Sequence, residues 1–127
     1  MSFTVDSNIK TPHLAFAAYN GNAGPRFGSL TTNAGYVTRQ TVSGGVCDGV
    51  IEGESFAQGD PISLVKTGHY EVEAGAAIAA GVNVMSDTSG RGVLATSGLW
   101  RNGVSRTAAS NAGEIIEIDL GRAGLEP

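Results

Sequence analysis

The sequence predicts an all-β domain: a small β-sandwich or β-barrel of about eight short strands, with an extended N-terminal arm. Three observations carry this. One cadence occurs three times, a small-polar lead-in, a glycine, a strand-like run and a closing glycine, at residues 56–68, 74–92 and 110–121. Glycine counts 19 of 127 residues while aromatics are only 6%, which suits many short strands, tight turns and a thin core of Val, Ile, Leu and Ala. No segment holds a helical apolar period of useful length; residues 74–80 are the one candidate, and their flanking glycines favour a turn or bend.

Residues 1–33 differ from the rest. Residues 2–12 are polar with a proline break, residues 13–19 (HLAFAAY) form a short apolar patch, and residues 20–28 (NGNAGPRFG) are too rich in Gly and Asn for a helix or a central strand. This reads as an arm with one anchoring patch, or as an N-terminal strand followed by a long loop. As an arm, residues 2–28 would be removable without unfolding the domain. The β-domain then spans 34–127. Residues 36–42 (YVTRQTV) have strand propensity. Residues 46–52 (VCDGVIE) form a second strand, with Gly49 marking a bulge. Pro61 opens a third, where a missing N–H is tolerated. In residues 69–73 (HYEVE), Tyr70 and Val72 share one face. Residues 82–85 alternate into a hairpin whose tip is 86–92, and 93–95 return from it. Residues 96–103 read as a loop carrying Trp100, 104–108 as a short strand, 114–120 as the last strand and 121–127 as a tail. Gly59, Gly81 and Gly113 occupy equivalent places, where the backbone turns into a strand at positive φ.

Composition narrows the function. Net charge is −4 and the eight basic residues are scattered. That gives no phosphate-binding face for nucleic acid and no polybasic surface for an anionic membrane. Cys47 is the one cysteine, so no internal disulfide forms. The first ten residues lack a signal-peptide pattern, and no apolar run reaches transmembrane length. The expectation is a protein made in a cytoplasm.

No catalytic, cofactor or metal constellation emerges. His13 and His69 are not in metal-ligand spacing. Cys47 and His69 would form a nucleophile pair only if the fold brought them together; a buried inert thiol is the simpler reading. Asp87-Thr88-Ser89-Gly90 opens like a calcium loop but lacks its later ligands, so it reads as an Asx-type turn. Lys66-Thr67 lacks the glycines of a phosphate loop. The residues that suit contact with a partner are His13, Leu14, Phe16, Tyr19, Arg26 and Phe27 in the arm, and Trp100 and Arg101 in the 96–103 loop, because Trp and Arg are enriched at interface hot spots.

The glycine-strand units carry a resemblance as well. Residues 75–81 (GAAIAAG), Ser86-Asp87, Gly90-Arg91 and residues 108–118 (AASNAGEIIEI) together resemble the capsid cement or head-decoration proteins of tailed bacteriophages. Residues 59–64 (GDPISL), Gly68 and residues 72–75 (VEAG) are similar to the same family. The likeness covers roughly residues 50–120, and residues 1–45 carry no pattern of the family. The resemblance implies a small β-rich structural protein, usually a homotrimer, on the outer surface of the virion. It implies a phage major coat protein as partner, with coat subunits clamped together on an expanded head, and no catalytic residues or cofactor. A ligand of the assembled lattice stabilises it by mass action, and an oligomer spanning several subunits gains avidity. Edge strands or arms would pair with the coat by β-addition. Two alternatives remain: a small-molecule or glycan-binding β-domain using Trp100, Tyr36 and Tyr70, and a biotinyl- or lipoyl-type carrier displaying Lys66 on a hairpin tip.

Overall fold

Glycine sets where strands begin. In the structure, a computed structural model that describes residues 9–16, 19–20, 25–52, 55–120 and 123–127, Gly59, Gly81 and Gly113 have φ of 86°, 79° and 94°. Nothing lies within 4 Å of a Cβ built at any of the three, so the backbone angle, not lack of room, requires glycine there. In two copies the turn is closed the same way. The Asp60 N–H donates to the Ala57 carbonyl at 3.1 Å and the Glu114 N–H to the Asn111 carbonyl at 3.4 Å, with glycine third, as in a type II turn. The carboxylates of these same residues reach back: Asp60 accepts from Ala57 N–H at 2.8 Å and Glu114 from Ser110 N–H at 3.1 Å. The central copy has no carboxylate there. The Ser105 hydroxyl substitutes, donating to the Ala79 carbonyl at 2.7 Å and accepting from Val82 N–H at 3.1 Å.

The strands are β1 (Ile9–Ala15), β2 (Tyr19–Asn20), β3 (Arg26–Leu30), β4 (Tyr36–Arg39), β5 (Gly49–Glu52), β6 (Ser55–Phe56), β7 (Pro61–Thr67), β8 (His69–Glu73), β9 (Asn83–Ser86), β10 (Gly92–Leu94), β11 (Trp100–Arg101), β12 (Gly103–Ser105), β13 (Ile115–Asp119) and β14 (Gly124–Leu125). A closed barrel runs β1-β4-β3-β5-β7, and a five-stranded sheet runs β10-β9-β12-β13-β8. β11–β14 and β2–β6 are two-stranded ribbons. All-β architecture with a small barrel is as expected. Residues 74–80 form no helix; Ile78 there bridges to Ala109.

Two cores result from strands that are apolar on both faces. Ala15, Val37, Ile51, Ile62 and Leu64 fill the barrel. The chain neighbours of two of them, Val50 and Val65, point the other way and, with Phe27 of β3, pack with Val72, Val84, Ile116, Ile118 and Leu120 of the sheet. Alternation along β5 and β7 therefore serves both cores. Gly28 keeps the barrel interior open, because a Cβ there would stand 2.6 Å from Ile51 Cγ1. Gly49 begins β5 and allows close approach to β7, since its Cβ would meet the Val65 carbonyl oxygen at 2.5 Å.

The arm expected over residues 1–33 is corrected where it is described. β1 and β3 are barrel strands, and the strand alternative holds for that part. β1 pairs antiparallel with β7 from Ile9–Thr67 to Leu14–Pro61 and parallel with β4 at Leu14–Tyr36 and Ala15–Val37. Removing residues 2–28 would take all of β1 and most of β3 out of a closed barrel. Residues 1–8, 17–18 and 21–24 lie outside the described residues. The tail at 121–127 is likewise structured at 123–127. β14 pairs with β11, and the Glu126 carboxylate holds Asn83 Nδ2 at 2.8 Å and Arg101 Nη1 at 3.2 Å.

Candidate functional site

The residues with reactive side chains are tied up in structure. His13 Nε2 lies 2.6 Å from Thr11 Oγ1. His69, exposed on β8, has Nε2 3.3 Å from Arg106 Nη1. Cys47 is buried in the core between barrel and sheet. Asn102 Nδ2 donates to its sulfur at 3.3 Å and Gln40 Nε2 at 3.6 Å. Burial pushes the Cys47 thiol up to about 11, against the opposing pull of those two donors. Among the described residues, no three metal-capable side chains converge. Lys66 lies within β7 rather than at a hairpin tip, because β7 and β8 belong to different sheets; the geometry of a carrier domain is not met.

The thiol gives a testable linkage. Its folded pKa is raised above the ordinary 9.0, so the folded state binds the proton more tightly. The associated stability is fully present below pH 9 and is lost as pH rises through 11, by roughly 2–3 kcal/mol. Denaturation of wild type and Cys47→Ala across pH 8–11 checks this: the gap between them should shift in favour of the variant as pH rises. A thiol reagent at pH 8 should modify native Cys47 at least 100-fold more slowly than the unfolded chain.

The tip of the β9–β10 hairpin is an Asx turn, as the sequence indicates. Asp87 Oδ1 accepts from Ser89 N–H at 2.8 Å and Arg91 N–H at 2.9 Å. Its role is internal. The Ser89 carbonyl accepts from Arg26 Nη1 at 2.9 Å and Arg39 Nη1 at 3.2 Å, and the Gly90 carbonyl accepts Phe27 N–H at 2.8 Å. Arg26 Nη2 meets Glu73 Oε1 at 2.8 Å, and Arg91 Nη1 lies 3.6 Å from Glu73 Oε2. Glu73 is 3% exposed and Arg26 12%. This cluster joins the barrel to the sheet.

The expected contact residues therefore divide. Leu14 (38% exposed) and Phe16 (42%) are open to solvent at the end of β1. Leu14 stands in register with Tyr36 and Pro61, so the three share the outer wall of the barrel. Arg26 and Phe27 are corrected: one is ion-paired inside the barrel–sheet junction, and the other is wholly buried. His13 is half-buried on β1; it aligns with buried Ile62 and so faces inward. Tyr19 pairs through its backbone with Phe56, and its side chain lies outside the described residues. Trp100 and Arg101 form β11 rather than an open loop. Trp100 is half-buried with its indole N–H lacking an acceptor, and Arg101 is paired with Glu126.

Sequence reasoning missed three exposed aliphatic side chains. Val42 (60% exposed), Val46 (56%) and Leu125 (65%) are among the most exposed large aliphatic side chains described. A solvent-open depression of about 350 Å³ is lined by Gly81, Val104, Ser105, Arg106 and Asp119. It has no aromatic wall on which a sugar ring would stack. Tyr36, Tyr70 and Trp100 lie on three separate strands.

Comparison with known proteins found one family and a similar fold. A family described as phage cement protein matches residues 26–120. No curated protein matches the chain. Among solved structures, the N base of the head fiber gp8.5 of bacteriophage phi29 is similar in fold, with a TM-score of 0.69 at 16% identity over 94% of this chain and 99% of that one.

Proposed function

The chain belongs to the phage cement protein family, a family of structural capsid proteins, and from that premise we propose that it binds the outside of the expanded head and stabilises the coat lattice against the pressure of packaged DNA. The family match over three quarters of the chain is the observation that carries this reading. The fold's likeness to a phage head-fiber base supports a place on the head exterior. The partner is the major coat protein, the working form is a homotrimer, and synthesis is in the host cytoplasm. Leu14 and Phe16, with Tyr36 and Pro61 beside Leu14, supply an apolar surface for coat contact. A protein that binds only the assembled lattice at 100 times its Kd stabilises each site by about 2.7 kcal/mol.

Co-sedimentation with expanded, undecorated coat shells tests this. Saturable binding at one fixed ratio is expected, with little binding to unexpanded shells. A Leu14→Asp, Phe16→Asp variant should bind at least tenfold more weakly while unfolding at the same denaturant concentration. A folded protein that ignores intact expanded shells would sink the reading.

A further inference from the structure

We propose that Asn102-Gly103 is a self-modification site, silent in the folded sheet and released when β12 separates from β9: the asparagine loses its side-chain amide as ammonia and becomes aspartate or isoaspartate. The inference stands apart from the capsid reading and draws only on the chemistry and packing of this pair.

The chemistry belongs to the dipeptide. Asn-Gly occurs at residues 20–21 and 102–103. When the residue after an asparagine has no side chain, its backbone nitrogen has an open approach to the asparagine Cγ. The Gly103 nitrogen gives up its proton and bonds to Cγ of Asn102, the Cγ–Nδ2 bond breaks, and ammonia leaves with that proton. The cyclic imide then takes up water. Opening on the Cγ side gives aspartate, and opening on the backbone carbonyl side gives isoaspartate, whose main chain is longer by a methylene.

The fold requires both members of the labile pair. Gly103 begins β12, where a Cβ would stand 2.4 Å from the Asp119 carbonyl oxygen, so no side chain that would slow the reaction fits. Asn102 is 3% exposed, and its Nδ2 donates to Cys47 Sγ at 3.3 Å. The same packing holds the reaction off. The Asn102 N–H donates to the Val84 carbonyl at 2.7 Å, and Gly103 stands in register with Val84. With the backbone fixed on β9 and the amide fixed on the thiol, Cγ is not free to swing onto the Gly103 nitrogen. Attack needs the ladder to open, and buried sheet backbone opens rarely.

The product does not fit the folded state. Asn102 Oδ1 is buried with no hydrogen-bond donor among the described residues. A carboxylate in that place would bury a charge beside an oxygen already unserved, and the thiol would lose an amide donor. Isoaspartate would also lengthen the main chain at the start of β12, where register with β9 and β13 is set. Deamidation thus turns a reversible opening into a lasting loss of the fold, and it marks each molecule that has opened.

Peptide mapping by mass spectrometry reads the site. The protein is incubated at mildly alkaline pH, folded in buffer or unfolded in guanidinium chloride, and aspartate and isoaspartate at residue 102 are followed with time. The unfolded chain should deamidate at both Asn20 and Asn102. The folded protein should lose the Asn102 amide roughly 100-fold or more slowly. Chains deamidated at residue 102 should stay unfolded by circular dichroism after dilution from denaturant, while unmodified chains refold. Asn102→Asp should lower the urea midpoint strongly; if that variant does not fold, the two rates on wild type still decide. Equal rates at residue 102 in folded and unfolded protein, an unfolded chain that keeps its Asn102 amide, or deamidated chains that refold to the wild-type midpoint would each overturn the proposal.

Discussion

Phe27→Ala should destabilise the protein by about 3–5 kcal/mol. Phe27 is 0% exposed and fills the junction where Val50 and Val65 of the barrel meet Val72, Ile116 and Ile118 of the sheet. Truncation removes most of a ring from a site that neither half can collapse to fill. A domain of this size has a total stability of about 5–15 kcal/mol, so the loss is a large share of the whole. Urea denaturation should show a midpoint shifted strongly down with an unchanged slope. Leu14→Ala, on the open wall of the barrel, should shift it by less than about 1 kcal/mol. A Phe27→Ala protein that kept its midpoint while losing affinity for shells would make Phe27 the contact residue that its sequence neighbourhood suggested.

Glu73→Ala should cost about 3 kcal/mol, because removing one partner of a buried ion pair strands the other. Glu73 is nearly sealed from solvent and faces Arg26 and Arg91 at 2.8 and 3.6 Å. Without it, two guanidinium groups crowd a pocket already closed by the 87–90 turn. Glu73→Leu combined with Arg26→Leu should be more stable than Glu73→Ala alone, since it removes the stranded charge and keeps the volume. A double-mutant cycle should give a coupling of about 1–3 kcal/mol. Additive single effects would show that the pair does not join barrel to sheet.

What was legible in the sequence was local. Gly59, Gly81 and Gly113 announce their positive φ because each sits between a polar lead-in and a strand, and backbone conformation at a turn is a neighbourhood property. The Asx turn at Asp87 and the alternation of residues 69–73 are readable for the same reason. What was not legible was pairing at a distance. β1 finds β7 some fifty residues onward, and nothing in IKTPHLA marks it as a barrel strand. Arg26 and Phe27 follow NGNAGP, which looks like loop; their burial is decided by Glu73, 47 residues later, and by a core contributed by both sheets.

The unequal anchoring of the first and last strands among the described residues has a mechanical consequence. β1 is wedged between two neighbours and shares six residue pairs with β7, so tension along it loads many hydrogen bonds together, in shear. β14 shares two pairs with β11, so tension along it loads far fewer ladder hydrogen bonds. A molecule loaded through β1 would hold as a rivet. Loaded through β14, it would yield early and expose Trp100, leaving barrel and sheet intact as the part that still bears force.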